Sequence, residues 1–148
     1  MPDNGRIREI APNLWQGALR HVVEDWETIK DKFETVLLLA DEVERIPRER
    51  DIYTFAIPDD PDGLSQNAFW QLVGFAAAFK AHRVLTVCHM GENRSGLMSA
   101  LILIHRGMAP NAAADLVQMN GPHNSPSQPH SFWNPGFNRQ VRTIHNAD

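Results

Sequence analysis

Val84-Leu85-Thr86-Val87-Cys88-His89-Met90-Gly91-Glu92-Asn93-Arg94-Ser95-Gly96 reads as a buried strand, a short loop and the opening of a long apolar helix. Cys88, the only cysteine in the chain, falls where the strand ends. Arg94 stands at the mouth of the helix, with Gly91 midway between the two. A thiol, a run of loop amides and a guanidinium at a helix N-terminus make a small cradle for an oxyanion. The helix from Ser95 to about Arg106 is apolar nearly all round, which predicts a central, buried position. Gly107 suits its C-terminal stop.

Working outward, strands and helices alternate. Ile10 to Leu14, followed by Trp15-Gln16-Gly17, predicts a short first strand and a turn. Val22, Val23, Trp26, Ile29 and Phe33 fall at helical spacing, which predicts one amphipathic helix over 22–33. Thr35 to Leu39 is a continuous apolar run of strand length, the pattern of a strand covered on both faces. Asp41 to Arg45 returns to solvent, and Pro47 punctuates it. Asp51 to Ile57 predicts a third strand, running into the acidic, breaker-rich loop Pro58-Asp59-Asp60-Pro61-Asp62-Gly63. Ser65 is placed as a helix N-cap, with Leu64 and Phe69 as a hydrophobic staple. Phe69, Leu72, Val73 and Ala76 stripe that helix, which ends near Ala81. Beyond the central helix, Pro110 opens another, and Asn120-Gly121 ends it. Residues 121–136 carry four prolines and form a long loop. A last helix covers about Asn138 to His145, with its start near Asn134 left open. The pattern is that of an α/β chain: a mostly parallel central sheet flanked by helices in three layers.

The 148 residues suit a single domain over 1–148 with a sizeable core, residues 1–9 being loose. The net charge of -4 gives no chain-wide footprint for nucleic acid or anionic membrane. The longest apolar run, Gly96 to Ile104, is too short to cross a bilayer, and the first residues lack the apolar core of a signal peptide. One cysteine cannot close an internal disulfide, which fits a reducing, cytoplasmic setting. The seven histidines (His21, His82, His89, His105, His123, His130 and His145) show no metal-ligand spacing. We expect neither metal nor cofactor, and a monomer.

A thiol that cleaves a phosphate ester must be ionised, the phosphoryl oxygens must be held, and the leaving oxygen must receive a proton. Loop amides and the positive end of a helix favour a thiolate. The same amides hold oxygens, and Gly91 lets the backbone turn inward. The planar fork of Arg94 fits two phosphoryl oxygens. Ser95 can offer its hydroxyl to the sulfur. The anion-holding loop is therefore His89, Met90, Gly91, Glu92, Asn93 and Arg94, and a phosphate or sulfate ion is expected in it. The proton donor must come from elsewhere, and Asp59, Asp60 and Asp62 are the candidates.

Cys88 to Gly96 resembles the Cys-x-x-Gly-x-x-Arg-Ser/Thr-Gly signature of the cysteine-dependent protein tyrosine phosphatases, most of all their small dual-specificity branch. Asn13-Leu14-Trp15-Gln16-Gly17 resembles that branch's opening strand, and Asn134-Pro135-Gly136-Phe137 the segment opening its last helix. The resemblance spans roughly residues 10–145. It implies a phosphatase fold and hydrolysis of phosphate monoesters through a phospho-cysteine. The implied substrates are phosphotyrosine and, through a shallow pocket, phosphoserine, phosphothreonine or small phosphates. Ala56-Ile57-Pro58-Asp59 resembles the family's acid loop, which favours Asp59 as the general acid, with Asp60 as the alternative. The implied catalytic set is Cys88, Arg94, Asp59 and Ser95. One departure stands out: the family usually has His before the cysteine, where this chain has Val87.

Val87 leaves a second possibility open, a pseudophosphatase that binds phospho-ligands without turnover. A sulfurtransferase fits Arg94-Ser95-Gly96 less well. Glu92 is expected to add negative charge beside the site, against a polyanionic substrate. Residues 121–136 with Trp133 form either a substrate-side rim or an ordinary surface loop. His89 is either substrate-facing or solvated.

Overall fold

The computed structural model describes residues 6–40 and 51–144. Its elements are β1 (Ile7–Ala11), β2 (Leu14–Ala18), α1 (Leu19–Glu24), α2 (Trp26–Ile29), a 3-10 turn (Lys30–Lys32), β3 (Thr35–Leu38), β4 (Asp51–Thr54), α3 (Gln66–Ala77), β5 (Val84–Cys88), α4 (Arg94–His105), α5 (Pro110–Asn120) and α6 (Pro135–Arg142). The strands form one sheet in the order β1-β2-β5-β3-β4. β1 runs antiparallel to β2; β2, β5, β3 and β4 are parallel. This is the mixed α/β sheet flanked by helices that the alternating pattern predicts.

β5 is the middle strand and is buried along its whole length. Ala18 of β2 pairs with Cys88, and Leu38 of β3 pairs with Val87. Cys88 therefore emerges at the carboxyl edge of the central strand, where α/β sheets place their ligands. α4 packs on β2 and β5 and against α3, α5 and α6. Its residues from Ser95 to Leu103 are all buried, as its all-round apolar sequence requires.

The structure corrects several boundaries. The opening is a hairpin rather than one strand at 10–14. Asn13, after Pro12, takes φ 66 and turns the chain between β1 and β2. Ile7 is fully buried in β1, so residues 7–9 are not loose. The helix expected over 22–33 breaks at Asp25 into α1, α2 and a 3-10 turn. Its stripe still points inward, because Val22, Trp26, Ile29 and Phe33 are all buried. β4 ends at Thr54, yet Phe55 N donates to Leu38 O at 2.8 Å and Ile57 N to Leu39 O at 3.3 Å, so the backbone keeps following β3. α6 starts at Pro135, at the start left open near Asn134, since proline suits a first turn and the Asn134 side chain accepts from Phe137 N.

Ser65 caps α3 as expected, accepting from Ala68 N, and Leu64 and Phe69 are both buried. α3 stops at Ala77, short of Ala81. Gly107 takes φ 103 just past α4. The expectations for 41–45, Pro47 and His145 lie outside the described residues.

Candidate active site

Cys88 Sγ lies 3.2 Å from Ser95 Oγ, and the pair is buried. A second rung sits beneath it, where Thr86 Oγ1 and Ser99 Oγ are 2.8 Å apart. Two residues of strand advance about 6.6 Å and four residues of helix about 6 Å. Thr86 and Cys88 on one strand face therefore meet Ser99 and Ser95 on one helix face, rung for rung. The lower rung sets the register of α4 on β5 and so places the upper one.

Gly91 takes φ 74, and a Cβ there would lie 2.5 Å from Ala18 N and 2.6 Å from Gly17 C. Only glycine allows the loop to press on the end of β2 this closely. Buried Gln16 Nε2, from the middle of β2, donates to Gly91 O at 2.9 Å and holds the loop in place. Gln16 was not singled out from the sequence. A polar residue within an otherwise apolar strand is the signal that could have found it.

Arg94 opens α4, and its Nη1 approaches Ile57 O at 3.4 Å. Ile57 immediately precedes Pro58 and Asp59, so the arginine also touches the base of the acidic loop. Within that loop, Asp60 Oδ1 accepts from Asp62 N at 2.8 Å and closes a local turn. Asp59 Oδ1 accepts from Asn134 Nδ2 at 2.8 Å. Asn134 N in turn donates to Asn93 Oδ1 at 2.8 Å, inside the cysteine loop. Asn134 thus links the acidic loop to the cysteine loop. Its segment was noted only as the opening of the last helix.

Glu92 departs from expectation. Its carboxylate is fully buried rather than spread beside the site. Oε2 accepts from Asn124 N at 2.6 Å and Ser125 N at 3.0 Å. Oε1 accepts from Ser125 Oγ at 2.6 Å and Trp133 Nε1 at 3.1 Å. Four donors on one carboxylate tie the 121–136 loop to the cysteine loop. Asn124 Nδ2 adds a bond to Met90 O at 2.9 Å. Phe132 pins the far end of the loop. It is buried at φ 50, and its ring occupies the space that a Cβ on Gly96 would need.

His89 and Met90 face solvent. Val87 is fully buried, and its carbonyl accepts from Leu39 N at 2.7 Å. Among the described residues, no three His, Cys, Asp or Glu side chains gather where they could hold a metal ion. Among the same residues, no helix is long and apolar enough to cross a membrane.

No protein-family model and no curated protein matches the chain. Solved structures do. Human DUSP28 superposes with a TM-score of 0.72 at 19% identity, covering 95% of this chain and 93% of that one. OH1 from the Orf virus, described as a tyrosine phosphatase with triple substrate specificity, gives 0.65 at 16% identity, covering 95% and 86%. The human tyrosine phosphatase-like serine/threonine/tyrosine-interacting protein gives 0.65 at 18% identity, covering 94% and 95%. The chain has the fold of the dual-specificity and tyrosine phosphatases.

Proposed function

We propose that this chain is a cysteine-dependent phosphatase of the small dual-specificity kind, acting on phosphate monoesters. The observation that carries the proposal is the 3.2 Å pairing of Cys88 Sγ with Ser95 Oγ at the mouth of α4, on the loop that bears Arg94. In the first step Cys88 attacks phosphorus. A sulfur–phosphorus bond forms, the ester phosphorus–oxygen bond breaks, and the leaving oxygen takes its electron pair and the proton of Asp59. In the second step Asp59 removes a proton from water. The resulting hydroxide attacks phosphorus, and the sulfur leaves with its electron pair as Ser95 donates a hydrogen bond to it. The products are an alcohol or phenol and inorganic phosphate. Loop amides and Arg94 stabilise the transferring phosphoryl group throughout.

We favour Asp59 over Asp60 because Ala56-Ile57-Pro58-Asp59 resembles the family's acid loop and Asn134 ties the Asp59 carboxylate to the cysteine loop. Substrates are phosphotyrosine, with phosphoserine, phosphothreonine and small phosphates as further members. The reaction as written needs no metal or cofactor. A thiolate nucleophile suits a reducing compartment, and we take the protein to be cytoplasmic and to work as a monomer.

Two observations favour a second possibility, binding of phospho-ligands without turnover. A neighbour named as a phosphatase-like interacting protein shares the fold, and Val87 stands where the family usually has histidine. Hydrolysis of p-nitrophenyl phosphate by the wild type and by Cys88→Ser decides between them. Turnover that Cys88→Ser abolishes supports the enzyme. Phosphate or tungstate binding with no wild-type turnover supports the binding module.

A further inference from the structure

Asn134 is 2% exposed, and every polar atom of its side chain is engaged. Nδ2 donates to Asp59 Oδ1 at 2.8 Å and to Asp60 O at 2.9 Å. Oδ1 accepts from Phe137 N at 3.0 Å, which caps α6. The backbone N–H donates to Asn93 Oδ1 at 2.8 Å. Three segments, the cysteine loop, the acidic loop and the start of α6, therefore meet at one residue.

The rest of α6 reinforces that junction. Gln140 clamps Leu64, its Oε1 accepting from Leu64 N at 3.0 Å and its Nε2 donating to Leu64 O at 2.7 Å. Arg139 Nη2 donates to Asp62 O at 3.0 Å. A Cβ on Gly136 would overlap the Gly63 backbone nitrogen, so α6 and the acidic loop lie in backbone contact. α6 is itself rooted in the core through Phe137 and Val141, both fully buried. The acidic loop is carried on α6, and Asn134 joins that unit to the phosphate-holding loop.

We infer that Asn134 is a positioning residue for Asp59, holding one carboxylate oxygen and fixing the acid at a set distance from the phosphoryl cradle. The inference rests on the phosphatase proposal above. Proton transfer and nucleophilic attack must coincide in one geometry, and a displacement of about 1 Å at a reacting group can cost on the order of 100-fold in rate. With one oxygen held by Asn134, the other is left to carry the proton to the leaving group.

The test is Asn134→Ser, which keeps an N-cap for α6 and removes the Nδ2 donor. Two substrates separate an acid defect from a general one. Phosphotyrosine releases a phenol with an ordinary pKa of about 10 and needs the proton. 2,4-Dinitrophenyl phosphate releases an anion that does not. We expect kcat/KM, which reports only the first step, to fall about 30- to 100-fold on phosphotyrosine and to stay within about twofold on the dinitrophenyl ester. In an Asp59→Asn background, Asn134→Ser should cost nothing further on phosphotyrosine. Equal losses on both substrates, no loss on either, or additive losses with Asp59→Asn would overturn the role of Asn134 and leave the phosphatase proposal standing. Absence of wild-type turnover, or undiminished turnover by Cys88→Ser, would overturn both.

Discussion

Glu92→Gln is the sharpest perturbation of the site's architecture, because it changes hydrogen-bonding character at nearly constant shape. The glutamate is fully buried and accepts four bonds. If the new amide nitrogen takes the Oε2 position, the N–H groups of Asn124 and Ser125 both lose an acceptor. If it takes the Oε1 position, the Ser125 hydroxyl can turn to accept, but the Trp133 indole N–H cannot. Either rotamer strands at least one part-buried donor. A stranded donor costs about 1–3 kcal/mol, and bonds to a neutral carbonyl are weaker than those to a carboxylate. The expected destabilisation is about 2–4 kcal/mol, or roughly 5–15 °C in melting temperature for a domain of this size. Urea unfolding at unchanged slope measures it. Glu27→Gln is the control, since Glu27 is 80% exposed and paired with Lys30 at 3.0 Å; it should cost no more than about 0.5 kcal/mol. A Glu92→Gln shift as small as the control's would refute the argument that this carboxylate anchors the 121–136 loop.

Asp59→Asn should lower kcat on aryl phosphates by about 10²–10⁴-fold and remove the basic limb of the pH–rate profile. Asp60→Asn should keep that limb; its loss in Asp60→Asn alone would transfer the acid role. Stability should also fall in mild acid because of His21. Burial, then the Arg6 and Arg20 charges, hold its pKa below the ordinary 6.5, with Glu24 acting in the opposite direction. The unfolded chain therefore takes up a proton first as pH drops below about 6.5, and folded-state stability is lost from there down to the folded pKa. His21→Gln should flatten the urea midpoint between pH 7 and 5; an unchanged slope would show that other groups govern it.

Much of the fold was legible because its signals are local. A strand that ends in Cys88 and a helix that opens at Arg94 follow from neighbouring residues, as do the Ser65 cap and the Gly107 stop. The misread helix at 22–33 shows where such signals end. Val22, Trp26, Ile29 and Phe33 are all buried, so the periodicity reported the inward face correctly. Periodicity does not record whether backbone hydrogen bonding continues through Asp25. At the hairpin, the left-handed turn at Asn13 was present in the sequence as Pro12-Asn13, and it passed unread. Glu92 was misplaced for a related reason. A charged residue in a polar loop is ordinarily solvated, and its four donors lie 32 to 41 positions away.

By itself, the sequence pointed to Cys88 as the candidate nucleophile, to residues 89–94 as the candidate anion-holding loop and to Asp59 and Asp60 as the candidate acids, since each reading depends on residue types a few positions apart. Only the tertiary structure decided how those parts are held to one another. The Thr86–Ser99 rung sets α4 on β5, Gln16 holds Gly91 across 75 positions, and Asn134 reaches Asp59 across another 75. Such contacts join segments whose approach is set by packing of the whole core. A chain read residue by residue shows which groups are present, but the distances between remote groups arise only when the sheet and α6 close around them.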